Sequence, residues 1–259
     1  FFDLTGVNYT LSPAGESQDG HMLREAVQSY FLNIPVKTGK HNTILAPGFD
    51  RTKLLMNDGN DLSGNSLKFG LLHLHKWKNN VQTVFLFQVK SNYHEGKPLI
   101  SNHHQTGGAF VFSKKLKSGL KYSVGLDYNR EFFGHFFVPL LGVDYKFNEH
   151  WQVYGLLPNN YSIDRKVSQS FHTGATLSFA TSSYRFAQNR YVRFDDNQFR
   201  LYIHLIAGKH NVFQIEAGHT FMRGLKIGSG NFARNTETEV QIPDGWVMKV
   251  GYVFRIYEQ

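Results

Sequence analysis

The chain has 259 residues, a formal charge of +8 from 28 Lys and Arg against 20 Asp and Glu, and no cysteine, which excludes a disulfide framework and a thiolate metal site. Aromatic residues make up 15% of it, with 23 Phe and 13 Tyr, yet mean hydropathy is −0.36. No run approaches the ~18 apolar residues of a transmembrane helix, so a helical membrane protein is excluded too. No composition shift divides the chain, and residues 1–259 read as one domain. The basic balance would suit nucleic acid, but no helix-turn-helix, zinc-finger or aromatic-basic pattern supports it. The excess of Lys and Arg reads instead as a basic rim beside anionic lipid phosphates.

In chain order, segments near 1–13, 24–37, 42–56 and 67–78 read as strands. Val81, Phe85, Phe87 and Val89 then alternate with Gln82, Gln88 and Lys90. After a strand near 109–117, Leu120, Tyr122, Val124, Leu126 and Tyr128 stand against Lys121, Ser123, Gly125, Asp127 and Asn129. Only a period of two fits this spacing. Phe137, Pro139, Leu141, Val143, Tyr145 and Phe147 repeat the pattern over Gly142, Asp144 and Lys146. Two short strands fall at 151–157 and 161–167, followed by Phe171, Ala175, Leu177 and Phe179. Leu201, Ile203, Leu205 and Ala207 lead to a turn at 209–211, and Phe213, Ile215 and Ala217 lead away from it. The last segment is the cleanest: Trp246, Met248, Val250, Tyr252, Phe254 and Ile256 oppose Val247, Lys249, Gly251, Val253 and Arg255. Pro35, Pro47, Pro139 and Pro158 donate nothing to a ladder, so each marks a bulge, a rim or a local edge. Pro158 bends or ends its strand.

Short turns near 37–42, 79–80, 117–119, 148–150 and 209–211 alternate with longer polar stretches near 15–22, 57–66, 94–105, 190–200 and 228–243. This is the asymmetry of a transmembrane barrel, with short turns on the periplasmic side and long loops outside. A soluble lipocalin-like barrel or sandwich also alternates, but a dozen strands closed as one barrel leave a lumen too wide to fill with apolar side chains. Inward charges such as Asp127, Asp144 and Lys249 suit a wet interior. Trp77, Tyr128, Phe147, Trp151, Trp246 and Tyr257 gather near strand ends as interfacial girdles require. The expected fold is therefore all-β, a transmembrane antiparallel up-and-down β-barrel of 12 to 14 strands in the outer membrane of a Gram-negative bacterium. The count is 14 if 151–157 and 161–167 are two staves, and 12 if they are an inserted or capping element.

Residues Lys249, Gly251, Phe254 and Ile256, in the run Lys249 to Ile256, resemble the C-terminal β-signal of outer-membrane proteins. That resemblance implies recognition of the last strand by the outer-membrane assembly machinery, although Tyr257-Glu258-Gln259 extends past the signal. More broadly, the aromatic- and Asn-rich strands and Leu157-Pro158 ahead of Tyr161 resemble uncharacterised outer-membrane barrel families of Bacteroidota. That second resemblance implies an outer-membrane protein without an assigned activity.

Candidate chemistry is sparse. His73 and His75, at strand spacing before Trp77, and His103-His104 in a polar stretch lack the Asp, Glu or Cys neighbours of a zinc site, so no metal and no cofactor is expected. An outer-leaflet lipid hydrolase or lipid A deacylase needs a serine, a base and an orienting group. His219 is the one candidate base, and Leu201, Ile203, Trp246 and Met248 on the neighbouring strands supply no nucleophile. Lys90, Asp127, Asp144, Lys146, Glu216, Lys249 and Arg255 are expected to face the lumen, where rings of charge set ion preference or else cross-link a closed interior. Glu216 and Arg255 are expected as a cross-strand pair within about 8 Å. The stretch 190–200, with Arg190, Tyr191, Arg193, Phe194, Phe199 and Arg200, reads as a loop for protein or lipopolysaccharide contact. Expected partners are outer-membrane lipid and lipopolysaccharide, the assembly machinery, and other outer-membrane proteins in a stable complex, with no nucleic acid. A non-enzymatic accessory or structural subunit is expected ahead of a small passive porin-like channel, because inward long side chains or a segment around Pro158 would occlude a narrow lumen.

Overall fold

A computed structural model describes residues 2–16, 22–38, 41–56, 62–94, 104–187, 190–229, 236–240 and 242–256. The strand segments, in chain order, are β1 (Phe2–Glu16), β2 (Met22–Leu32), β3 (Ile34–Thr38), β4 (His41–Met56), β5 (Leu62–Lys76) and β6 (Val81–His94). They continue as β7 (His104–Lys115), β8 (Lys121–Glu131), β9 (Gly134–Lys146), β10 (Trp151–Leu157), β11 (Asn160–Lys166) and β12 (Phe171–Ala187). The last are β13 (Arg190–Ala207), β14 (Asn211–Thr220), β15 (Gly224–Ser229), β16 (Thr236–Val240) and β17 (Trp246–Ile256).

Three staves are built from two segments each. β2 and β3 both pair with β4, β14 and β15 both pair with β13, and β16 and β17 pair with β15 and β14. Neighbouring staves pair antiparallel, and β1 closes the ring by pairing β17 on one side and β2 on the other, from Phe2↔Ile256 to Leu11↔Met248. The result is a closed transmembrane-type barrel of 14 staves, with β10 and β11 as two wall strands in their own right. An even number of antiparallel staves closes without a mismatched seam.

The alternation read from sequence is the alternation of the wall. On β17, Trp246, Met248, Val250 and Ile256 are exposed while Val247, Val253 and Arg255 are buried. On β9, Phe137 and Leu141 are 60% and 62% exposed, and Leu140 between them is 2% exposed. An apolar face that open to the outside, on a sheet whose inside holds Asp, Glu, Lys and Arg, is the reverse of a soluble protein and suits hydrocarbon outside and water inside. The expected turns near 37–42, 79–80, 117–119, 148–150 and 209–211 all lie at one end, beside the outer ends of β1 and β17. Asn79 and Asn80 have φ of 60° and 59°, the positive values that a two-residue type I′ hairpin turn requires. Trp77, Phe147 and Trp151 are exposed at this short-turn end, and Tyr128 and Trp246 lie toward the other; Tyr257 falls outside the described residues.

The prolines fall where a ladder can spare a donor. Pro47 and Pro35 flank the interruption at Asn33 between β2 and β3. Pro158 sits in the turn between β10 and β11, after a cis Leu157-Pro158 bond. Pro139 lies on a stretch of β9 that β10 does not reach: β10 pairs with Leu141, Gly142, Tyr145 and Lys146 only.

Two expectations are corrected at the long-loop end. Residues 190–200, expected as a loop, are the first half of β13 and pair with β12 from Ala187↔Arg190 to Thr176↔Arg200. Polar stretches at 57–66 and 228–243 likewise contain the start of β5 and all of β16. The reason is physical. Beyond the apolar belt the outward face no longer has to be greasy, so the period-two signal vanishes while the backbone ladder continues.

Candidate functional site: the lumen and its closed mouth

The upper halves of β12 and β13 do not rise with the wall. β12 leaves its neighbour β11 after Ser178↔Asn160 and crosses over five intervening staves to β6, where Arg185 pairs with Tyr93 in parallel. β7 to β11 thus stop below a narrower tower made by the remaining strands. Its interior is packed by Leu54, Val192, Phe194 and Leu225, with Ile227, Val240 and Ile242 against them.

Ser183 is the latch of this hairpin. Its Oγ donates to Glu131 Oε2 at 2.6 Å and accepts from Gln105 Nε2 at 2.8 Å and from the Phe132 amide at 3.2 Å. Its carbonyl accepts from Asn92 Nδ2 at 2.8 Å. Glu131 is also bonded by Gln105 Nε2 at 2.7 Å and paired with Lys90. Arg185 lies 4.7 Å from the centre of the Phe132 ring, and Tyr184 Oη lies 3.3 Å from Thr52 Oγ1 on the far wall. Asn92 and Gln105 each give up a bond to Ser183 if the hairpin unseats, which favours the seated state because buried polar groups must find bonds inside the protein.

Two cavities lie inside the wall formed by the described residues. The upper one, about 300 Å³, lies between the seated hairpin and the inner faces of β2, β4, β5 and β6, with Asp50, Lys68, Lys90, Asn92 and Asp196 on its wall. The lower one, about 480 Å³, runs from Asp3 and Arg255 at the short-turn end to Asn159 and Asn160 at the turn between β10 and β11. Its charges are paired across strands. Glu216 accepts from Lys249 Nζ at 2.8 Å and Arg200 Nε at 2.7 Å, and Arg255 Nε donates to Asp3 at 2.6 Å. Tyr202 Oη donates to Asp164 at 2.7 Å, whose other oxygen lies 3.0 Å from His172 Nδ1. In the upper half, Arg223 bridges Glu25 and Asp196.

All seven charges expected to face the lumen lie on the inward series of their strands. Lys90 pairs with Glu131, and Asp127 is held by Asn129. Asp144 accepts from Gln152 and lies 3.6 Å from Lys121, with Lys146 two residues on at the rim. The expected Glu216 to Arg255 pair is corrected. The register sets Glu216 opposite Lys249, and Arg255 stands six residues further along β17 against Asp3 of β1. The β14–β17 register is therefore six residues from one that would set Glu216 opposite Arg255.

The expected contact surface at 190–200 is dispersed by the same geometry. Tyr191 and Phe194 are buried, Arg200 is inside the lumen on Glu216, and Arg193 lies 4.4 Å from the centre of the Phe133 ring. Arg190 and Phe199 are exposed. The expected occluding segment around Pro158 is a wall turn, and the hairpin latched by Ser183 takes its place.

His73 and His75 face outward with His41, whose ring stacks on His75 at 3.9 Å, and His75 packs on Trp77. Among the described residues no cluster of His, Asp and Glu has metal-holding geometry; His103 lies outside them. His219 has Phe199 and Trp246 as cross-strand neighbours and its Nδ1 2.6 Å from the Thr220 carbonyl. In the terminal signal, Lys249 points inward, Phe254 stacks on His210, and a Cβ on Gly251 would stand 2.1 Å from Asn8 Oδ1. Ser183, Gln105, Glu131 and Asn92 carried no sequence signal: each is an ordinary polar residue, and 26 to 91 positions separate the partners.

A family model described as Domain of unknown function (DUF6268) matches residues 64–252, about three-quarters of the chain. No curated protein sequence matches. Among solved structures, the COG4313 outer membrane channel from Pseudomonas putida F1 is similar at 11% identity, covering 96% of this chain and 93% of that one with a TM-score of 0.57. At that identity the likeness is one of fold. The β domain of the Bordetella autotransporter BrkA matches more loosely, at 8% identity over 98% of this chain and 100% of that one, with a TM-score of 0.31.

Proposed function

The chain belongs to the DUF6268 family, and on that premise we propose that it is an integral outer-membrane channel for small solutes, non-enzymatic, with a lumen held shut at its long-loop end. The observation that carries this reading is the charge-lined cavity of about 480 Å³ inside the wall. Polar groups inside the wall must each be bonded or solvated, and a cavity of this size lets water solvate them. Paired Glu216, Lys249, Arg200, Asp3 and Arg255 keep water in the interior without a large net field, which suits passage without strong ion selectivity.

One observation favours a second reading, an accessory or structural subunit of an outer-membrane assembly: the latched hairpin closes the mouth. Planar-bilayer recording from pure protein separates the two. Discrete, solute-dependent steps support the channel, while a silent protein that co-purifies with a fixed partner supports the subunit. Within the same proposal, the outward apolar belt and basic rim meet outer-membrane lipid and lipopolysaccharide. Lys249, Gly251, Phe254 and Ile256 present the assembly signal, and Leu157-Pro158 with Tyr161 fits a Bacteroidota source. A lipid-hydrolase role would need a nucleophile at His219, and its cross-strand neighbours Phe199 and Trp246 offer none.

A further inference from the structure

The upper cavity holds polar groups that the fold leaves unused. Asp50 of β4, Ser66 of β5 and Asn92 of β6 stand on one rung of the wall, paired in register as Asp50↔Ser66 and Ser66↔Asn92, and all three line this cavity of about 300 Å³. Ser66 and Asn92 are 2% and 1% exposed, yet Ser66 Oγ and Asn92 Oδ1 have no hydrogen-bond partner among the described residues. Asn92 is fixed in orientation, because its Nδ2 donates to the Ser183 carbonyl at 2.8 Å and leaves Oδ1 as an acceptor. Buried polar groups are bonded as a rule, so two unpartnered atoms on neighbouring strands beside one cavity call for a molecule that bonds both.

The rest of the lining restricts what that molecule is. Its charges are already engaged: Asp50 with Lys68, Lys90 with Glu131, Glu25 and Asp196 with Arg223, while Arg185 lies over the Phe132 ring. A ligand with a charge of its own would have to displace one of these contacts, whereas a neutral donor displaces none. Toward the long-loop end, Leu54, Val192 and Phe194 bring the apolar core of the tower to the cavity. Tyr184 stands so near Gly64 that a Cβ there would lie 2.7 Å from its ring. Toward the short-turn end, the inward Lys68 side chain is 47% exposed, so that end meets the lumen. Neighbouring strands lie ~4.8 Å apart, a spacing that hydroxyls distributed around one six-membered ring match. The volume is at the small end of the ~300–1,000 Å³ of ligand pockets, which suits one such ring.

We propose that the upper cavity is a binding site for a neutral, hydroxyl-rich solute of monosaccharide size, its hydroxyls on Asp50, Ser66 and Asn92 and its less polar face toward Leu54 and Phe194. The site goes beyond the channel reading and does not need it, since a barrel that only bound the solute would use the same groups.

Saturation-transfer NMR on the protein in phosphatidylcholine nanodiscs reads binding without conduction. The probes are the methyl glycosides of glucose, galactose and mannose, with glycine and acetate as the charged comparators. At least one glycoside should be saturated, and neither comparator. Ser66→Ala removes a hydroxyl that has no partner, so the fold keeps its stability, and it should weaken the bound glycoside about tenfold, the equivalent of ~1.4 kcal/mol and of one neutral hydrogen bond. Val27→Phe, filling the cavity from the β2 side, should abolish binding. Absence of saturation for all three glycosides overturns the site, the result expected if water alone bonds Ser66 and Asn92, and so does saturation that Ser66→Ala leaves unchanged. Saturation of glycine or acetate that depends on Ser66 overturns the neutral class. A protein silent in planar bilayers that still binds a glycoside keeps the site and loses the channel reading instead.

Discussion

The latch makes the sharpest prediction. Ser183→Ala removes one hydroxyl and little volume, and with it the bond to Glu131 at 2.6 Å and those from Gln105 at 2.8 Å and the Phe132 amide at 3.2 Å. A bond to a charged group is worth about 1.5–3 kcal/mol and a neutral one about 0.5–1.5. Water refills part of the site, so about 3 kcal/mol is the expected loss, which raises the unseated fraction on the order of 100-fold. The tower core reports this directly, because Val192 is 4% exposed when the hairpin is seated. A Val192→Cys chain is therefore modified slowly by a cationic thiol reagent, at a rate proportional to the unseated fraction. In the Ser183→Ala background that rate should rise about 100-fold, with longer open times in bilayer recordings. A rate within about threefold of the parent would mean that the tower's apolar packing, and not the polar latch, holds the hairpin.

Further outcomes follow from single contacts. Glu216→Gln leaves Arg200 and Lys249 without their shared carboxylate and should cost about 3 kcal/mol, the low end for a broken buried pair; the reversal potential in a KCl gradient should shift toward anion preference. Leu126→Arg places a charge on the belt at a residue 48% exposed and should destabilise by about 2–4 kcal/mol near the midplane, read by urea titration in lipid vesicles. Gly251→Ala sets a Cβ against Asn8 Oδ1 and should lower stability by about 1–3 kcal/mol through overpacking. Asn8→Ala should restore folding in vesicles, while assembly in cells stays impaired if the glycine is itself part of the recognised signal.

The wall was legible in the sequence because membrane and lumen impose opposite demands on alternate residues. That is why Trp246 to Ile256 and Leu120 to Tyr128 could be read residue by residue. Register was less legible: no tight turn joins β14 to β17, since β15 and β16 intervene in the chain, and the pairing sets Glu216 opposite Lys249, six residues from Arg255. The mouth was not legible at all. Above the belt the selective pressure of hydrocarbon ends, so β13 read as a polar loop where it is a strand with Tyr191, Val192 and Phe194 buried. One clue survived in the proline rule. Pro139 sits within a run of otherwise regular alternation, where a proline marks a local edge or a bulge, and β10 pairs with β9 no further than Leu141. A residue that removes one ladder donor thus marks the place where the β9–β10 ladder ends.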